Sequence, residues 1–131
     1  LTAFQYLTQK TVTGRPQYVV LVTDGVDWQA TCPDPDPLTV VQLMAKDGVK
    51  TFMVGFSTSL ASGSGVGREF LNNMACAGQT APGFPAPCTQ GANGHYVATN
   101  PGGPPLYLAA QSATELTTVL EQATADISCK P

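Results

Sequence analysis

Charged residues and long hydrophobic runs are both scarce in this sequence. Only 11% of the residues are charged, the net charge is −3, and the six basic residues are scattered along the chain. A chain of this kind lacks the basic surface that nucleic acid requires, so we exclude nucleic acid as a partner. The longest wholly apolar run is five residues, whereas a transmembrane helix needs roughly 20. We therefore expect no membrane insertion.

Residues that carry catalysis are also few. His95 is the single histidine and no Gly-x-Ser-x-Gly motif is present, which disfavours a nucleophile paired with a histidine base. The glycine-rich run at 63–68 lacks both the third glycine of a dinucleotide-binding loop and the lysine of a phosphate-binding loop. We interpret that run as a simple loop and predict that the chain is not an enzyme.

The four cysteines indicate an oxidising compartment. Cys32, Cys76, Cys88 and Cys129 form no Cys-x-x-Cys pair and have no histidine at ligand spacing, which argues against zinc. Cys76 and Cys88 flank a loop rich in glycine and proline, and we predict a disulfide between them; the alternative is two buried thiols. Many glycines and prolines with few charges suit a loop-rich secreted or surface protein.

The strongest local signal is the apolar run 18–22, which leads into Thr23, Asp24 and Gly25. A run this short and rich in β-branched residues predicts a strand buried on both faces, as in parallel α/β sheets. The carboxylate of Asp24 then lies at the carboxyl end of the strand, where open α/β sheets bind ligands. The alternative is an aspartate that only bonds the amides of its own turn.

Further elements follow in alternation. Asp36 and Pro37 predict the start of a helix that Gly48 ends, and 51–56 reads as a second buried strand. A helix with Val66, Phe70, Leu71 and Met74 follows. Leu106–Ala109 predicts a third core strand, on which we expect His95–Thr99 to fold back. Ser112–Glu115 is a capping box that opens a last helix. This order predicts an α/β fold: a three-layer, Rossmann-like parallel sheet flanked by helices, with an antiparallel edge hairpin.

Four segments together resemble the carboxyl-terminal part of a von Willebrand factor A (VWA) domain. They are Val22–Gly25, Gly48–Phe56, Leu71–Ala75 and the last predicted strand leading into Ser112-x-x-Glu115-Leu116. The resemblance implies strands 4, 5 and 6 of a sheet ordered 3-2-1-4-5-6, so that the inner edge of the Asp24 strand lies open. We expect residues 1–131 to form a single VWA-like domain that is incomplete, since the chain contains no Asp-x-Ser-x-Ser loop.

The same resemblance implies a partial metal site at Asp24. In the family, an Asp-x-Ser-x-Ser loop and a threonine hold most of the metal, and the aspartate equivalent to Asp24 orients water in its outer shell. A divalent cation (Mg²⁺, Mn²⁺ or Ca²⁺) would therefore need donors from outside this chain. Asp27 and Trp28 in the following loop are candidate ligand-binding residues; the alternatives are a solvated loop and a packed tryptophan. The implied layout also places Cys32 and Cys129 at opposite ends, too far apart to pair with each other.

We therefore predict a protein-binding or adhesion module of a secreted or cell-surface protein, in the style of bacterial surface proteins. Its expected location is extracellular, at the cell surface or periplasmic. The expected partners are a complementary VWA half or neighbouring subunit, and an extracellular protein ligand. One alternative is a structural subunit that assembles by strand docking without a metal role. Another is a hydrolase that uses Asp24 and a metal, which would need further acids or histidines at the same strand ends.

Overall fold

A computed structural model of the chain describes residues 2–10, 14–24, 36–56 and 66–128. These residues form alternating helices and strands along the chain. In order they are α1 (Thr2–Gln9), β1 (Gln17–Thr23), α2 (Pro37–Lys46), β2 (Val49–Phe56), α3 (Val66–Ala77), β3 (Cys88–Gln90), β4 (Tyr96–Ala98), β5 (Leu108–Ala110) and α4 (Ala113–Ser128).

The central sheet has three parallel strands in the order β1-β2-β5. β1 pairs with β2 along its whole length, from Gln17 opposite Val49 to Thr23 opposite Gly55. β5 pairs only with the carboxyl end of β2, where Phe56 lies opposite Ala110. The predicted α/β class with a parallel sheet is confirmed. β1 lies at one edge, as the open-edge prediction requires.

Helices cover both faces of this sheet because its buried strand is apolar on both sides. Val49 and Met53 of β2 belong to a core cluster with side chains of α2 and α3, among them Val41, Met44, Leu71 and Met74. Phe52 and Val54 are buried outside that cluster, as are Ala110 of β5 and Ala123 of α4. Alternate residues of a strand point to opposite faces, so α4 covers the second face and three layers result.

Local signals set the helix ends. At the start of α2, Asp36 Oδ2 accepts a hydrogen bond from the Thr39 amide (3.4 Å), and Gly48 follows the helix with φ at 83°. At the start of α4, Ser112 Oγ accepts from the Glu115 amide (3.2 Å). The Glu115 carboxylate accepts from the Gln111 amide (2.7 Å), one residue before the position a capping box usually uses. Both predicted helix starts are confirmed.

The prediction that the Asp24 strand is buried on both faces is wrong for the described residues. Val20, Leu21 and Val22 of β1 keep 39%, 38% and 44% of their surface exposed. The corresponding stretch of β2, which has a neighbour on each side, is almost fully buried. β1 is exposed because no described strand pairs with its second edge.

The predicted pairing of His95–Thr99 with the last core strand is also wrong. β4 pairs antiparallel with β3, and Cys88 lies opposite Ala98. The hydroxyls of Thr89 and Thr99 hydrogen bond beside this pair (2.7 Å). The predicted Cys76–Cys88 disulfide is confirmed, with α-carbons 5.7 Å apart. Because this bond fixes Cys88 to the end of α3, the neighbouring strand β3 is in place to pair with β4.

Candidate functional site

Among the residues that the structure describes, Asp24 is the carboxylate that directly follows a strand at the carboxyl end of the sheet. Asp24 follows β1 directly and is exposed. Thr23 lies opposite Gly55, so Asp24 stands at the same edge of the sheet as the ends of β2 and β5. Glu115 comes soon after β5, but its carboxylate accepts the Gln111 amide at the helix start. Of the acids described at this edge, Asp24 is therefore the one positioned to meet a ligand.

The described residues do not by themselves make a metal site. They contain no group of three or more histidine, cysteine, aspartate or glutamate side chains that could hold an ion. Magnesium and calcium take about six to eight oxygen ligands, of which several come from the protein. Asp24 supplies one carboxylate. Any ion bound there would need donors from beyond the part of the chain that the structure describes.

Several predicted site residues lie outside the described residues. These are Asp27 and Trp28, together with Cys32 and Cys129. Their roles stay predictions. Of the predicted site residues, the structure describes Asp24 and the disulfide pair Cys76–Cys88, which lies at the far end of α3 and not beside Asp24.

The edge strand beside Asp24 is a second exposed feature. β1 reads Gln-Tyr-Val-Val-Leu-Val-Thr, with no charged residue and no proline. Edge strands in stable monomers usually carry a charge, a proline or a bulge that blocks pairing with other chains. β1 has neither a charge nor a proline, and Val20, Leu21 and Val22 expose apolar surface along it. This edge can accept another strand.

Sequence analysis missed a pair of asparagines that position the segments around β4 and β5. Asn72 of α3 is fully buried, and its Nδ2 donates to Pro101 O (2.7 Å) while its Oδ1 accepts from the Leu106 amide (2.7 Å). Asn73 Oδ1 accepts from the Ala98 amide of β4 (3.1 Å). Two adjacent amides beside the buried apolar residues Leu71 and Met74 were the available signal.

Comparison with known proteins places the chain in a family. The family model of the von Willebrand factor type A domain matches residues 1–86. No curated protein matches the chain significantly. The chain is similar to the crystal structure of an uncharacterized membrane-spanning protein from Vibrio fischeri, with 17% identity and a TM-score of 0.43. That match covers 94% of this chain and 51% of the other, so the chain spans about half of that protein's length.

In the described part of this chain, no helix is both long and apolar enough to cross a membrane. The family match covers about two thirds of the 131 residues, and the parallel sheet with its flanking helices agrees with a partial fold of that type. The chain therefore belongs to the von Willebrand factor type A domain family.

Proposed function

We propose that this chain is a protein-binding module of a secreted or cell-surface protein and that it meets its ligand at the carboxyl end of the sheet. Membership of the VWA family indicates a protein-interaction or adhesion module. The observation that carries the proposal is Asp24, exposed directly after a parallel strand. Open α/β sheets bind ligands at this end. The Cys76–Cys88 disulfide supports an oxidising location outside the cytosol.

The finer part of the proposal is a metal-ion-dependent adhesion site. Asp24 contributes one carboxylate, and the other donors come from outside the described residues. Asp27 and Trp28 belong to the loop that follows and are proposed to contact the ligand. A divalent cation at this position would offer an open coordination site to a carboxylate of the partner protein.

The test uses Mn²⁺ alone, because its unpaired electrons broaden NMR signals of nearby amides. We expect weak binding that broadens the amides around Asp24, and loss of this broadening in Asp24→Asn. Asp36→Asn is the matched control, since asparagine caps a helix as well as aspartate does and the charge change is the same. Broadening that persists in Asp24→Asn, or that centres on other acids, would overturn the metal proposal.

A second candidate function is assembly through the open edge, with a neighbouring subunit docked strand to strand. The observation that favours it is the uncharged, apolar and exposed β1. We take the occupant to be a second copy of this chain. Two β1 strands related by a two-fold axis pair antiparallel and bury each other's exposed residues, so the edge is complementary to itself.

Size-exclusion chromatography with light scattering tests this assembly over a range of concentrations. Val22→Lys places a charge on the edge strand and is expected to convert a dimer to a monomer. Leu43→Lys is the control, because Leu43 of α2 is as exposed (43%) but lies away from the edge. A wild-type chain that stays monomeric at every concentration would rule the assembly out, as would equal effects of the two variants.

A further inference from the structure

A cleft of about 260 Å³ opens at the amino end of the sheet, opposite the Asp24 end. Three of its lining residues lie in the first halves of the two strands: Tyr18 in β1, and Lys50 and Phe52 in β2. The other wall is the segment 79–84, which we call the 79–84 loop. Tyr18 and Asp24 are six residues apart on one strand, or roughly 20 Å. The cleft is therefore separate from the site proposed above.

The 79–84 loop is anchored to the sheet at Thr51. The Thr80 hydroxyl donates to Thr51 O (2.6 Å), and the Thr51 amide donates to Gly78 O (3.2 Å). Gln79 between them has φ at 60°, a left-handed conformation that a side chain seldom adopts. This is the left-handed residue that caps the end of α3, where the Gln79 amide donates to Cys76 O (3.0 Å) and the Thr80 amide to Ala75 O (3.1 Å), so the start of the loop is fixed to the helix.

The far end of the loop is fixed by an aromatic contact and by the disulfide. The rings of Phe84 and Tyr96 meet edge to face with centroids 4.8 Å apart. The Phe84 amide donates to Ala81 O (2.9 Å), and Cys88 just beyond is bonded to α3. The Phe84 side chain is thus held in place as one wall of the cleft before any ligand arrives. A preorganised wall lowers the entropic cost of binding.

Most of the surface that lines the cleft is polar, its aromatic part comes from Tyr18, Phe52 and Phe84, and it contains a single charge. Tyr18 and Phe52 form a tilted pair with ring centroids 5.9 Å apart. Lys50 lies directly opposite Tyr18 in the strand register. The described residues that line the cleft include this one cation and no carboxylate. The cleft therefore favours a ligand that brings its own negative charge together with one small flat group.

We propose that this cleft binds a carboxylate attached to an aromatic group. The ring packs between the Tyr18–Phe52 pair and Phe84, and the carboxylate pairs with the Lys50 ammonium. The volume lies just below the usual range of small-molecule pockets, about 300–1,000 Å³, and suits one group of the size of an aromatic residue. Such a ligand is either a free aromatic acid or the carboxyl-terminal residue of a polypeptide.

The first experiment is an NMR titration of the ¹⁵N-labelled chain with phenylacetate and with its neutral amide, phenylacetamide. We expect phenylacetate to shift the amides of Lys50, Thr80 and Phe84. We expect the amide to bind about tenfold more weakly, since it keeps a carbonyl acceptor but loses the negative charge that attracts the Lys50 ammonium. Equal affinities for the two probes, or shifts spread over other parts of the sheet, would overturn the proposal.

Variants locate the charge contact. Lys50→Gln keeps a hydrogen-bond donor on a slightly shorter side chain but removes the charge, and is expected to weaken phenylacetate binding about tenfold. Lys50→Arg keeps the charge and is expected to retain most of the binding. Lys46→Gln is the matched control, because Lys46 is exposed on α2 and lies outside this cleft. If Lys50→Gln binds like the wild type, or if Lys46→Gln weakens binding as much, the assignment of Lys50 is wrong.

A third titration distinguishes the two sources of the ligand. A tripeptide that ends in phenylalanine with a free carboxylate is compared with phenylacetate and with the same peptide amidated. Tighter binding of the free peptide than of phenylacetate would support a polypeptide terminus as the ligand. Weaker binding of the peptide would support a free aromatic acid. If the amidated peptide binds as well as the free one, the carboxylate is not recognised and the proposal fails.

Discussion

At the scale of single residues, Asn72 joins α3 to the segment that enters β5. Replacement by alanine removes the donor to Pro101 O and leaves the half-buried Leu106 amide without its acceptor. We expect Asn72→Ala to lower the free energy of unfolding by about 3 kcal/mol, since an unmet buried hydrogen bond costs about 1–3 kcal/mol and two are affected. Urea denaturation measures the change.

Asn73→Ala is the comparison for this prediction, because Asn73 Oδ1 accepts a bond from the Ala98 amide and the residue is only half-buried. A loss of about 1 kcal/mol is expected there. If the two variants lose the same stability, Asn72 has no special role in fixing the approach to β5.

Tyr107 makes stability depend on pH in the alkaline range. Burial raises the pKa of its hydroxyl above the ordinary value of 10.0, and the hydrogen bond and positive charge of Arg68 partly offset that rise. The unfolded chain therefore releases this proton at lower pH than the folded chain does. The contribution to stability is complete below pH 10 and is lost as the pH rises toward the folded pKa.

We expect the free energy of unfolding of the wild type to fall between pH values below and above 10, and to fall less in Tyr107→Phe. Denaturation at the two pH values measures the difference. Tyr6→Phe is the control, since Tyr6 is 61% exposed. An equal alkaline loss in wild type and Tyr107→Phe would contradict the assignment.

At the scale of elements, the segment after α3 packs its backbone against β2. A β-carbon at Gly78 would collide with the backbone oxygen of Thr51, so this position requires glycine for space. We expect Gly78→Ala to destabilise the fold by about 2 kcal/mol, as for other overpacked sites, with the change measured by thermal or urea unfolding. Gly48→Ala is the control: its β-carbon would meet open space, so the left-handed φ alone costs about 1 kcal/mol. A smaller effect at Gly78 than at Gly48 would show that the contact can relax.

The elements that sequence predicts well are those whose signals are local. The caps at Asp36 and Ser112 lie within a few residues of the amides they bind, and both are confirmed. The partner of β4 could not be predicted in this way, because it depends on the Cys76–Cys88 disulfide and on Asn73, which lies 25 residues before Ala98 in the sequence. The run 18–22 predicted a strand but carried no information about its neighbours, so its exposure was not foreseen. The place of Asp24 at the end of a strand could be predicted because Asp24 directly follows the apolar run. The aromatic cleft could not, because it depends on the strand register that sets Lys50 beside Tyr18.

At the scale of the whole molecule, the parallel sheet separates two surfaces along one pair of strands. Asp24 lies at the carboxyl end, and Tyr18 with Lys50 lies at the amino end. β1 and β2 are paired over their full length between these ends. A ligand at one end can influence the other only if the strands take two arrangements, since coupling needs two states that each ligand distinguishes.

The fully paired strands lead us to expect independent binding at the two ends. Asp24→Asn should leave the affinity for phenylacetate unchanged, and Lys50→Gln should leave the Mn²⁺ broadening around Asp24 unchanged, each measured by the NMR titrations above. Coupling is reciprocal, so a change in one affinity requires an equal change in the other when both ligands are present. Saturating phenylacetate should therefore not alter the Mn²⁺ titration. If each ligand instead changes the affinity of the other by the same factor, the two ends are coupled, and β1 and β2 take two arrangements that both ligands distinguish.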